Sequence, residues 1–107
     1  MRIFIKTEQF TQETLSLPPE QRHHYLAAHQ SWVNALRASG ENLSSGYLID
    51  QAQKPGGGGL LILQASSFED AKRLVEQDPM IKNKLVHWQL QEWIPITDNT
   101  SLLNHLG

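Results

Sequence analysis

The sequence predicts an α+β fold of the ferredoxin-like kind, a four-stranded antiparallel sheet with two helices on one face, in the order βαββαβ. Three observations lead there. Two amphipathic stretches carry helix-start signals, Pro18-Pro19-Glu20 and Ser66-Ser67-Phe68-Glu69. Strand-like segments stand before, between and after them. One of these, Leu60-Leu61-Ile62-Leu63, is apolar on both faces, as a central strand covered on both sides must be. At 107 residues the chain is one domain, small enough that covering all of its apolar surface calls for a second copy.

Over residues 2 to 7, Ile3 and Ile5 alternate with Arg2, Phe4 and Lys6, the period-two signature of a first strand. A polar connection follows. Pro and an acidic residue then stand where a helix begins, and Leu26, His29, Val33 and Leu36 form its apolar stripe, with Gly40 as the stop. Asn42 to Ile49 is a weaker second strand, broken by Ser44-Ser45-Gly46 and followed by the turn-rich stretch Asp50 to Gly59. Leu60 to Leu63 is the third strand.

The spacing Ser66 to Glu69 is that of a capping box, with the Ser66 hydroxyl serving the Glu69 amide, and it opens a second helix over Ser67 to Gln77. Asp78-Pro79 closes that helix and starts a short one over Met80 to Lys84, with Asp78 as N-cap. Val86, Trp88, Leu90 and Ile94 then alternate with polar residues and Trp93 in a last strand before Pro95. The domain spans residues 1–96, and 97–107 is a tail with room for one short helix. Trp93 points away from Trp88, so the sheet face opposite the helices carries apolar residues that a second subunit is expected to cover.

Nine basic and eleven acidic side chains give a net charge of −2 with no Lys/Arg run, which excludes a polyphosphate-binding footprint and hence nucleic acid as a partner. There is no cysteine, so disulfides, thiolate nucleophiles and Cys-based metal sites are out. The N-terminal apolar run is too short for a signal-peptide core and no segment approaches a membrane span, so the expectation is a cytoplasmic protein.

The chemistry-bearing candidates are His29 and Asp78. His29 lies in register with buried positions, about 15 Å along its helix, and the topology brings the end of the second helix toward the start of the first. A carboxylate bonded to an imidazole fixes its tautomer and leaves the other ring nitrogen to move a proton. The alternative is a core histidine satisfied by backbone or water, with Asp78 acting only as a cap. Capping occupies one carboxylate oxygen and leaves the other for His29.

The remaining histidines, His23, His24, His87 and His105, offer no pair three or four apart on one helical face, so neither a metal nor any other cofactor is expected. Pro55-Gly56-Gly57-Gly58-Gly59 precedes a strand and lacks the Lys-Ser/Thr of a phosphate loop, so it reads as a flexible hairpin loop. Ser45 and Gly46 can place a hydroxyl and a bare amide beside the pocket; with no adjacent base in sequence, Ser45 is a ligand contact and not a nucleophile.

Taken together, His29 followed by Gly40, Ser45-Gly46, the Gly-rich stretch before Leu60 and Ser67 to Asp78-Pro79 resemble the YCII-related family over residues 2 to 95. The resemblance implies a ferredoxin-like domain that dimerises through its sheet into an α/β barrel. It also implies that His29 and Asp78 are the active-site pair. Because the family is similar to muconolactone-isomerase-type proteins and includes a branch processing chlorinated lactones, it implies proton transfer on a small organic acid or lactone. The competing expectation is a ligand-binding or interaction module without chemistry. Met80, where an aromatic residue is usual, Tyr47, where proline is common after the glycine, and the tail beyond Pro95 depart from the family pattern.

Overall fold

The computed structural model describes residues 2–53 and 55–97. Its elements are β1 (Arg2–Phe10), α1 (Gln12–Leu15), α2 (Pro19–Ala38), β2 (Leu43–Ile49), β3 (Pro55–Ala65), α3 (Phe68–Val75), α4 (Pro79–Lys82) and β4 (Val86–Trp93). The four strands form one sheet in the order β2-β3-β1-β4, antiparallel throughout, which is the ferredoxin-like arrangement. The proposed tail helix falls largely in residues 98–107, outside the described residues.

The expected closure into an α/β barrel is not met. Among the described residues β2 and β4 each have a hydrogen-bonded neighbour on one side only, so the sheet is open with two edges. Four strands are about half of the eight that form small closed barrels.

Strand parity decides which side chains meet the helices. Phe4, Leu43, Leu61 and Leu63 point to the helix side and pack with Val33 of α2 and Ala71 and Val75 of α3 in the main core. Because alternate residues share a face, Lys6 and Glu8 project on the same side as Phe4. Ile3, Ile5, Leu60, Ile62 and Trp93 lie on the opposite face, partly buried and covered by no helix among the described residues. A second cluster, Met80, Leu85 and Val86 with Tyr25, Phe10 and Trp88 against it, packs the first half of α2 onto α4.

Local signals are legible in the backbone. α2 starts on Pro19 and ends in a Schellman motif, with Gly40 at φ 98, Glu41 N–H donating to Leu36 at 3.0 Å and Gly40 N–H to Arg37 at 3.1 Å. The cap of α3 lies one residue later than the Ser66 expected: Ser67 accepts from the Asp70 amide at 3.1 Å. Phe68 stands edge-on to Phe4 at 6.1 Å and becomes the first helical residue. The helix also stops sooner than expected, at Val75.

The glycine run is strand and not a hairpin loop. Gly58 pairs with Gln9 and Leu48, and Gly59 with Glu8 and Tyr47, so ladders on both sides hold backbone that its composition alone would leave free. α1 was not foreseen in the polar connection; Thr11 caps it by accepting from the Thr14 amide at 3.1 Å. Among the described residues no helix is long and apolar enough to cross a membrane.

Candidate active site

Asp78 sits where α3 gives way to α4, and its surroundings follow from that junction. Its amide donates to Val75 O at 3.0 Å, and its carbonyl accepts from Ile81 at 2.9 Å, so the backbone is pinned at both sides. The side chain is fully buried. Oδ1 accepts from the Met80 amide at 2.9 Å, the N-cap bond, and also from His29 Nδ1 at 2.9 Å. Oδ2 is taken by Lys6 Nζ at 3.1 Å. The cap and the histidine thus share one oxygen instead of dividing the two, and a lysine holds the other.

Burial by itself pushes the Asp78 carboxyl upward, but the His29 hydrogen bond, the Lys6 charge, the His29 charge and the Met80 amide together outweigh it and hold Asp78 below the ordinary aspartate value. Asp78 is therefore a carboxylate, which can only accept. His29 Nδ1 must carry the proton it donates. The other nitrogen, Nε2, lies 2.9 Å from Ser45 Oγ. In neutral His29 this nitrogen has a lone pair and accepts from the Ser45 hydroxyl.

The register expected for this helix, α2, is met in part: Val33 is buried, Leu36 packs on the core and His29, one turn earlier, reaches Asp78 at the start of α4, whereas Leu26 is 40% exposed. Its side chain is 14% exposed. Trp32 lies beside the imidazole, ring centres 5.8 Å apart. Ser45 reaches it from β2, where it stands opposite Leu61 on the helix side of the sheet.

A cleft of about 250 Å³ opens at this point. His29, Ser45, Gly46 and Glu8 line it together with Met80 and Tyr47. Gly46 contributes backbone only, and a Cβ there would meet nothing within 4 Å, so the glycine is not sterically required. Met80 is buried in the second core, whereas Tyr47 is 73% exposed at the rim. These two departures from the family pattern therefore both border the cleft.

Sequence reasoning missed Lys6 and Glu8. Lys6 is 0% exposed and bonds both Asp78 and Glu8. Strand parity put Phe4, Lys6 and Glu8 on one face, but only the fold shows that this face is the covered one, where a lysine needs a buried counter-charge. What sequence could not supply was the partner, 72 residues away. Among the described residues no group of three or more His, Asp or Glu side chains is placed to hold a metal ion. His23, His24 and His87 are exposed, and His105 lies outside the described residues.

The YCII-related domain family matches residues 1–94. Among solved structures, the chain is similar to the 5-chloro-2-hydroxyhydroquinone dehydrochlorinase of Burkholderia phenoliruptrix in complex with 2,5-dihydroxybenzoquinone. The TM-score is 0.60 at 23% identity, over 86% of this chain and 93% of that one. No curated protein sequence matches. The chain belongs to the YCII-related family.

Proposed function

We propose that this family member is an acid–base enzyme in which His29 moves a proton on a small cyclic substrate. Asp78 fixes the imidazole, and Ser45 and the Gly46 backbone receive a polar group of the substrate. The observation that carries the reading is the continuous chain from Ser45 through His29 and Asp78 to Lys6, closed at the buried end and open to the cleft at the other. A carboxylate held by three donors on one side of the ring leaves Nε2 as the nitrogen that faces the cleft, and the Ser45 hydroxyl it now accepts from turns to the substrate when one binds.

The chemistry follows from that nitrogen. Nε2 takes a proton from a substrate carbon next to a carbonyl, and Asp78 stabilises the imidazolium that forms. The electron pair left on the substrate either captures a proton at another carbon, an isomerisation, or expels a leaving group such as halide, an elimination. A cleft of about 250 Å³ suits one substituted ring, a lactone or a hydroxylated ring. The dehydrochlorinase neighbour, solved with a six-membered dihydroxylated quinone, supports a substrate of that size.

The test is turnover of a panel of lactones, chlorolactones and chlorinated hydroxylated rings by wild type and His29→Ala, with circular dichroism confirming the fold. His29→Ala is expected to lower turnover about 10²- to 10⁴-fold; undiminished turnover refutes the assignment. We further read the protein as a cytoplasmic homodimer in which a second copy covers the face bearing Ile3, Ile5, Leu60, Ile62 and Trp93. That reading is supported by the apolar character of this uncovered face. A strictly monomeric species by light scattering at micromolar concentration would contradict the homodimer.

A further inference from the structure

We propose that Glu8 is a substrate-binding residue whose carboxylate accepts a hydrogen bond from a hydroxyl of the ring bound at His29, so that the site favours hydroxylated rings over their alkoxy counterparts. The proposal deepens the acid–base reading and takes its substrate position from it. Glu8 lies two residues beyond Lys6 on the helix side of β1. Its side chain is only 10% exposed, yet it lines the cleft with His29 and Ser45.

Glu8 Oε1 is engaged by Lys6 Nζ, while Oε2 has no partner among the described residues. That is an acceptor with spare capacity at the edge of a cleft. The side chains therefore form one chain that begins in the cleft at Glu8, passes through the buried Lys6 and Asp78, and returns to the cleft at His29 and Ser45. Through its two bonds Lys6 positions both carboxylates, one oriented toward the imidazole and the other bordering the place a ligand would occupy.

The sheet makes room for this. Gly59 stands opposite Glu8 on β3, and a Cβ at Gly59 would lie 3.1 Å from Glu8 Cγ and 3.3 Å from Cδ. Any side chain there would press on the carboxylate, so the glycine preserves its place. The cleft's remaining walls include Phe10, Leu26 and Met80, which suit the faces of a ring. None of the described residues lining it is Lys or Arg. A carboxylate only accepts, and a ring hydroxyl is the donor that answers it.

The experiment is an amide-shift NMR titration with hydroquinone, 4-methoxyphenol and 1,4-dimethoxybenzene under anaerobic conditions. Wild type, Glu8→Gln and His29→Ala are compared. Hydroquinone is expected to shift the Gly46 and Gly59 amides and to bind wild type at least about tenfold more tightly than the dimethyl ether, the scale of a hydrogen bond to a charged group. Glu8→Gln should reduce that preference several-fold, because a neutral amide is the weaker acceptor.

The preference should survive in His29→Ala, which separates failure of the catalytic reading from failure of this one. If Glu8→Gln does not fold, Glu8→Asp keeps the charge for Lys6 while shortening the reach, and should show the same loss. Equal affinity for hydroquinone and its dimethyl ether, a preference unchanged in the Glu8 variants, or no binding of hydroquinone to wild type would overturn the proposal.

Discussion

Replacing Lys6 by Met removes the cation that pairs with both Asp78 and Glu8, and the structure sets the scale of the effect. Lys6 and Asp78 have side-chain exposures of 1% and 0%, so no water replaces the lost partner at Asp78. Taking away one member of such a pair costs about 3–5 kcal/mol, because the remaining charge stays buried. Against a total stability of about 5–15 kcal/mol for a domain, that is a large fraction.

Urea unfolding followed by the fluorescence of Trp32, Trp88 and Trp93 reads the loss. With a slope of about 1–3 kcal/mol per molar urea, the midpoint should fall by roughly 1–5 M at neutral pH. Since the deficit comes from an uncompensated carboxylate at position 78, it should shrink in acid as that group takes up a proton. A loss below about 1 kcal/mol at neutral pH, or a deficit that stays constant into acid, would refute the account of Lys6 as a buried counter-charge.

Acid denaturation probes Asp78 itself. Its folded carboxyl is held below the ordinary value of 3.8, so its contribution is complete above that pH and is lost as pH falls through the lower folded value. Asp78→Asn should be less stable than wild type at pH 7 and show a flatter stability profile below about pH 4; parallel profiles would contradict this. At α3, Ser67→Ala should cost about 1 kcal/mol in urea unfolding, while Ser66→Ala should cost less than half of that, because Ser67 alone caps the helix.

How much of this was readable depended on distance along the chain. The His29 register, the Asp78-Pro79 helix start and the Gly40 stop are local patterns, and each appears in the structure where sequence placed it. Ser45 was marked only as a ligand contact; its bond to His29 depends on strand β2 lying beside α2, which no local pattern encodes. Lys6 and Glu8 escaped notice because a charged residue in an alternating strand is ordinarily solvated, and only the fold reveals that this face is covered.

Boundaries failed for physical reasons of the same kind. The glycine run reads as a loop because glycine has little strand preference by itself, yet pairing with β1 and β2 on both sides overrides propensity. Ser66 and Ser67 both satisfy a capping pattern, and the contact of Phe68 with Phe4 accompanies the later start. The barrel was an inference from family resemblance, and strand pairing shows an open sheet instead.

The central claim is that Asp78 holds His29 with the proton on Nδ1, leaving Nε2 for chemistry. Nitrogen-15 NMR of the imidazole ring tests it directly, in wild type and in Asp78→Asn, at a pH where His29 is neutral. The account predicts a protonated Nδ1 and an unprotonated Nε2 in wild type, the reverse of the tautomer that neutral histidine favours in water, with the preference weakened in Asp78→Asn. A wild-type ring protonated at Nε2, or one averaging freely between tautomers, would contradict it.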